Sequence, residues 1–192
     1  MVAVLLPINL RPALSAGRRK LTRAGKARFS NEGTLSLPIK TVAGDFLAHY
    51  SDEGLTGLNF PNSDRKAAQE AERIPPEIRA WHCATELALK SILAGKEPGA
   101  FPPLAPAGTV FQKSVWRALR HIALGKTKSY GEIAAVIGRP RAVRAVGGAC
   151  GANPIPVLVP CHRVLAANKK IGGFSGGLDW KRRLLEVEGV QV

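Results

Sequence analysis

The run GANPIPVLVPCHRVLAANKKIGGFSGGL, residues 151–178, constrains the fold more than any other part of this chain. Its prolines remove backbone donors and its glycines raise the cost of ordering, so it does not read as a helix. Yet IPVLV, residues 155–159, is too apolar for a solvated loop. The reading is a buried strand or extended segment, fenced by Pro154, Pro156 and Pro160, that delivers Cys161 to a fixed place. A cysteine so placed is an inert core thiol, a metal ligand or a nucleophile.

The metal reading fails on spacing. A zinc site takes about four nitrogen or sulfur ligands at recognisable intervals. Here Cys161-His162 and His82-Cys83 are adjacent pairs, with no C-x₂-C or H-x₃-H anywhere. The three cysteines, Cys83, Cys150 and Cys161, are odd in number and far apart, which argues against a disulfide scaffold and for a reducing compartment. As a nucleophile, Cys161 gains from His162 beside it, from the charge of Arg163, and from upstream helix N-termini expected to lower a thiol pKa.

A Cys-His pair adjacent in sequence meets a geometric difficulty. In an extended segment neighbouring side chains point to opposite faces, so the link needs a bridging water or a bend after Pro160. The base also needs an orienting acceptor. In LLEVEG near the C-terminus, a helix aligns Glu188 with Leu184 and Leu185 and turns it inward, while Glu186 faces away. A buried carboxylate needs a partner, and His162 is the candidate; an ordinary surface glutamate is the alternative.

The net charge of +14 is unevenly distributed. Residues 1–28 hold 7 Lys+Arg and no acid, residues 29–107 hold 7 bases against 10 acids, and residues 108–192 hold 14 bases against 4 acids. The first stretch reads as a disordered basic arm, with a transit peptide or a misassigned start codon as alternatives. The last segment invites a polyanionic partner, against the alternative of a merely soluble basic surface. No apolar run is long enough to span a membrane.

Residues 34–61 read as short strands, with turns at Ala43-Gly44 and Asp52-Glu53-Gly54. Residues 64–94 are helical in pattern, broken at Pro75-Pro76, with Gly95 as C-cap. FPPLAP, residues 101–106, reads as a stiff linker that few contacts cross. Beyond it, Thr109 with Gln112 and Ser129 with Glu132 form capping boxes. The first opens a helix with Phe111, Val115, Leu119 and Ile122 on one face, stopping at Gly125. The second opens YGEIAAVIG, ending at Gly138. Pro140 then suits the first residue of a further helix. Two helices joined by a glycine-containing turn on a basic segment make a helix-turn-helix.

The second helix of that pair places Val143, Val146 and Cys150 inward. Elsewhere it offers Ala142, Ala145, Gly147, Gly148 and Ala149, with Arg141 and Arg144 among them. A major-groove reader carries several long polar side chains, and this helix carries almost none. Small residues suit close approach to a minor groove with little sequence preference. Tight helix–helix packing on Gly147-Gly148 is the alternative.

Taken in order, SYGEIA, RAVGGACGANPIPVLVPCHRV, GGFSGGL and LLEVEG resemble the O6-alkylguanine-DNA alkyltransferases, also called methylated-DNA–protein-cysteine methyltransferases. The resemblance is close over residues 109–189 and looser over 34–100, where SDEGLTGLNFP is similar to the family's N-terminal sheet; residues 1–28 match nothing. It implies irreversible transfer of an alkyl group to Cys161 from guanine O6, with O4-alkylthymine as a further candidate donor. The implied relay is Glu188, His162, a water and Cys161. Arg144 corresponds to the arginine that fills the place of a flipped base, and Tyr130 to the tyrosine that helps rotate the nucleotide and protonates guanine N3. Asn153 corresponds to a brace between the helix-turn-helix and the active segment. Ser175 corresponds to a donor to the lesion oxygen, and carbonyls near Cys161 and Val164 to acceptors from the guanine amine. Phe174 stands where some members have tyrosine, keeping an apolar pocket wall, and Val187 where histidine often precedes the glutamate. The zinc ligands of some N-terminal domains are absent, so neither metal nor cofactor is expected.

The expected fold is α+β: a basic arm (1–32), a small N-terminal sheet-plus-helix domain of ribonuclease-H-like type (33–100), a linker (101–107), and a helix-turn-helix, winged-helix-like domain (108–192). The expected protein is a cytoplasmic monomer acting once on double-stranded DNA that carries O6-alkylguanine, through Arg141, Ala142, Arg144, Gly147 and Gly148. A lesion sensor without transfer and a Cys-His hydrolase are the rival readings.

Overall fold

The computed structural model describes residues 34–61 and 74–192. The basic arm and the helical pattern over 64–73 lie outside the described residues. Strands β1 (Leu35–Thr41), β2 (Gly44–Ser51) and β3 (Gly54–Asn59) form an antiparallel sheet in chain order, with the turns where the glycines predict them. Alternation buries Leu35, Leu37 and Ile39 of β1 and Phe46, Ala48 and Tyr50 of β2 on one face. Helix α1 (Pro76–Leu93) presents Ile78, Ala88, Leu89 and Ile92 to the same core. Each fully buried leucine or isoleucine of this core contributes about 1.5–3 kcal/mol. Pro76 opens α1 in its first turn, where a missing N–H costs little, and Gly95 closes it at φ +67°.

The stretch read as a linker is hydrogen-bonded onto the sheet. Leu55 N–H donates to the Pro103 carbonyl (2.8 Å), and Ala105 N–H donates to the Leu55 carbonyl (2.8 Å). A β-carbon on Gly54, at φ +141°, would collide with the Pro103 backbone. Buried hydrophobic side chains from residues before and after this stretch form one cluster.

Four helices follow: α2 (Val110–Leu119), α3 (Tyr130–Val136), α4 (Val143–Gly151) and α5 (Leu178–Val187). Helices α2, α3 and α4 pack on one another. Both capping boxes form, with Thr109 and Ser129 accepting from the backbone N–H of Gln112 and Glu132. Between α2 and α3, β4 (Lys128–Ser129) pairs in parallel with β5 (Val164–Leu165). No helix among the described residues is long and apolar enough to cross a membrane.

Three local expectations are corrected. Helix α2 ends at Leu119, not near Gly125, because His121 and Ile122 donate to carbonyls three residues back (3.2 and 3.0 Å) and tighten the chain into a turn. Helix α4 starts at Val143, leaving Pro140 in the preceding turn. Its inward face is therefore Val146, Ala149 and Cys150, and Val143 is 41% exposed.

Residues 155–159 are buried as expected but form a turn, not a strand. Pro154 and Pro156 cannot donate to a ladder, and Val157 takes φ 72°, a left-handed value that is costly for a β-branched residue. Surrounding hydrogen bonds compensate. Val159 N–H donates to the Ile155 carbonyl (2.9 Å), and Leu58 N–H of β3 donates to the Pro154 carbonyl (2.8 Å).

Candidate active site

Cys161 opens a single 3₁₀ turn, Cys161–Arg163, that follows Pro160. A bend after Pro160 is one of the two links expected for the adjacent Cys-His pair, the other being a bridging water. The β4–β5 pairing, with Lys128 opposite Val164 and Ser129 opposite Leu165, then ties the N-terminus of α3 to the residues just after the turn. Tyr130, the first residue of α3, is thereby brought near Cys161 although 31 positions separate them in the sequence.

Asn153, just beyond α4, braces the cysteine with its whole amide. Its Nδ2 donates to the Val159 carbonyl (2.8 Å) and to Cys161 Sγ (3.1 Å), while its Oδ1 accepts from Ile155 N–H (3.1 Å). Burial pushes the Cys161 thiol up to about 11, partly opposed by the Asn153 hydrogen bond, the charge of Lys181 and the backbone N–H groups of Cys161 and His162. The expected lowering by helix N-termini is therefore outweighed: desolvation of the thiolate is the larger effect. Cys161 rests as a thiol and needs a base.

His162 is fully buried, and its Nε2 lies 2.9 Å from Glu188 Oε1. A carboxylate only accepts, so Nε2 carries the proton and Nδ1 of the neutral ring is an open acceptor. Among the described residues, His162 Nδ1 is the buried side-chain polar atom without a hydrogen-bond partner. Burial lowers the pKa of His162 despite the adjacent carboxylate, keeping the ring neutral and Nδ1 open to a proton.

Glu188 caps the C-terminus of α5 and faces inward, while Glu186 is exposed. Burial alone would raise its carboxyl, but hydrogen bonds from His162 and Arg163, with the charge of Arg163, bring it down to about 2. Arg163 grips it in bidentate fashion, with Nε 2.9 Å from Oε2 and Nη2 2.9 Å from Oε1, and its Nη1 donates to the Ile122 carbonyl (2.6 Å). Gly125 N–H completes the set at 3.3 Å from Oε2. Arg163 thus fixes the acceptor, a role beyond the general positive charge that the sequence suggests.

Lys181 escapes the sequence reading altogether. It is fully buried in α5, and its Nζ donates to the carbonyls of Val164 (2.7 Å) and Gly173 (3.3 Å). One cation therefore ties the segment after Cys161 to the glycine-rich loop. Burial lowers its pKa, opposed by neighbouring Cys161 and Cys150. A signal existed: Lys181 stands three and four positions before Leu184 and Leu185, the same apolar face that singles out Glu188.

The remaining candidates divide between loop and helix. Phe174 is half-buried and Ser175 is exposed, in the loop before α5. Burial raises the pKa of Tyr130, whose hydroxyl would lie 3.0 Å from a β-carbon on Gly172, a residue at φ +64°. On α4 and its entry, Arg141, Arg144 and Gly148 are exposed, and Ala142 and Gly147 are half-buried. A β-carbon on Gly148 would meet nothing within 4 Å, and one on Gly147 would only touch Tyr130 at 4.0 Å. Helix packing does not demand these two glycines, which removes the packing alternative and leaves a low, cation-flanked surface next to Tyr130.

Comparison with known proteins points one way. A family model described as 6-O-methylguanine DNA methyltransferase, DNA binding domain, matches residues 110–190. A methylated-DNA–protein-cysteine methyltransferase of Methanosarcina acetivorans is 43% identical over 151 residues, with 79% of this chain and 96% of that protein covered. An inducible methylated-DNA–protein-cysteine methyltransferase of Bacillus subtilis is 50% identical, with 72% of this chain and 83% of that protein covered. Among solved structures, Mycobacterium tuberculosis OGT in complex with DNA matches with a TM-score of 0.66 at 38% identity, covering 79% of this chain and 90% of that one.

Proposed function

Because this chain belongs to the methylated-DNA–protein-cysteine methyltransferase family, we propose that Cys161 is the acceptor through which it repairs DNA, taking the alkyl group directly from O6-alkylguanine. The observation that carries the assignment is the buried pair of His162 and Glu188, whose free ring nitrogen belongs to the residue next to Cys161. The chemistry follows from the charge states. The thiol proton passes through a water to His162 Nδ1, and the resulting imidazolium is stabilised by Glu188. The sulfur then forms a bond to the alkyl carbon as the carbon–O6 bond breaks, and its electron pair passes into the purine. Tyr130 donates a proton to guanine N3, so that a neutral base leaves. The product thioether has no leaving group that the same relay could activate, so each molecule acts once.

The base is flipped out of the duplex, since the buried Cys161 cannot meet an alkyl group on a base that stays in the stack. Arg144 fills the vacated place, and Arg141, Ala142, Gly147 and Gly148 form the surface that meets the minor groove. Asn153 supports the segment that carries Cys161. Val164, Phe174 and Ser175 line the pocket, with Ser175 donating to the lesion oxygen. The Val164 carbonyl already accepts from Lys181 and has a second lone pair for the guanine amine.

The finer fold reading belongs to the same proposal. The three-stranded sheet with α1 supports a ribonuclease-H-like N-terminal domain (33–100), and the α3–α4 pair supports a winged-helix-like domain (108–192) for DNA binding and transfer. The protein works as a cytoplasmic monomer without a cofactor.

Intact mass after incubation with duplex DNA containing O6-methylguanine tests the assignment. The expected result is a gain of one CH₂ per chain, located on Cys161 and absent in Cys161→Ala. Binding without mass gain would instead make the protein a lesion sensor, and turnover on an ester or amide would make it a hydrolase.

A further inference from the structure

The N-terminal sheet meets the pocket loop at Phe60, which follows β3. Its ring packs on Phe46 (centroids 5.5 Å apart) and Trp180 (4.9 Å), and meets the ring of Phe174 edge-on (5.7 Å, 72°). A β-carbon on Gly176 would collide with the edge of the same ring, so the ring lies directly against the loop backbone. The loop is rich in glycine, at 172, 173, 176 and 177, two of them at positive φ, and Gly177 N–H donates back to the Phe174 carbonyl (3.1 Å). Lys181 holds one end at the Gly173 carbonyl, and Phe60 covers the other. Beside Phe60 lies a cavity of about 530 Å³, also lined by Asn59, Asn153, Ser175, Gly176 and Trp180. Without the Phe60 ring, Phe174 and Ser175 have room to fall back into that space.

We infer that Phe60 is a positioning residue that sets the width of the alkyl pocket, holding Phe174 and Gly176 forward from the sheet side. The inference rests on the proposal that Phe174 and Ser175 line that pocket. It gives the N-terminal sheet a part in substrate selection in addition to its part in the core.

The test is single-turnover transfer by the full chain, on duplexes carrying either O6-methylguanine or O6-butylguanine. Phe60→Ala is expected to slow methyl transfer about 10- to 100-fold, the scale on which small misplacements of reacting groups act. It should also raise the butyl-to-methyl rate ratio above the wild-type value, with Phe60→Leu in between and DNA affinity unchanged. A side chain that only fills the core would slow both substrates equally. Phe174→Ala serves as the reference for the pocket. If it raises the ratio while Phe60→Ala does not, Phe60 has no positioning role. If neither variant moves the ratio, the pocket assignment falls and takes this inference with it. Should Phe60→Ala not fold, Gly176→Ala probes the same contact, because its new methyl group strikes the ring. Adding Phe60→Leu to Gly176→Ala must then restore part of the lost rate, and no recovery would overturn the inference.

Discussion

His162 holds Glu188 through Nε2 at 2.9 Å, while its Nδ1, equally buried, has no hydrogen-bond partner among the described residues. One nitrogen is committed to a carboxylate that is itself clamped by Arg163, and the other is left as a base. The asymmetry fixes the tautomer and predicts the pH response.

Transfer should persist below the ordinary histidine range of about 6.5, because burial lowers the His162 pKa and keeps the ring unprotonated in more acidic solution. His162→Gln removes the base, so the thiol must ionise by itself. The rate of that variant should climb about tenfold per pH unit toward the thiol's own value of about 11. Single-turnover rates against pH measure both. A wild-type midpoint at or above the ordinary histidine value would remove His162 from the role of base.

Arg163→Met leaves a buried carboxylate without its main partner and should cost about 3–5 kcal/mol of stability. The acid limb also shifts. The folded Glu188 carboxyl sits at about 2, below its unfolded value of about 4.3. Its contribution is thus fully present above the unfolded value and is lost as pH falls through the folded one. Removing Arg163 raises the folded value, so acid unfolding followed by circular dichroism should begin at a higher pH than in the wild type.

Lys181→Met should strand the carbonyls of Val164 and Gly173, at about 1–3 kcal/mol for each buried acceptor left unpaired. It also removes a cation that helps the thiolate form. The melting temperature and the methyl-transfer rate should therefore both fall, and the rate profile should move to higher pH. An unmoved profile would reduce Lys181 to a purely structural tie.

Gly148→Ala separates folding from DNA binding. The new methyl group meets open space in the free protein, so α4 should gain about 0.8–1 kcal/mol from helix propensity. If this face meets the minor groove, the same methyl group should weaken affinity for duplex DNA, measured by fluorescence anisotropy. Stabilisation with unchanged affinity would move the interface elsewhere.

Arg144→Ala should impair repair in duplex DNA more than reaction with free O6-alkylguanine, because only the duplex leaves a vacated stack to fill. Equal losses on both substrates would remove Arg144 from base flipping.

What depends on short spacings is legible in the chain alone. Three strands and their turns follow from alternation and glycine placement, and two capping boxes place α2 and α3 because a helix start is a local hydrogen-bonding problem. The inward turn of Glu188 follows from its alignment with Leu184 and Leu185. What depends on partners far apart in the chain emerges only when the fold assembles. The stretch 155–159 is a buried turn, not a strand, because Asn153 and Leu58 supply the hydrogen bonds its prolines cannot share in a ladder. Arg163 meets Glu188, and Lys181 meets Val164 and Gly173, across separations that no periodicity encodes. The resting state of Cys161 was also decided there: helix termini and cations favour the thiolate from a distance, but desolvation acts on the sulfur itself, and burial is a property of the assembled fold.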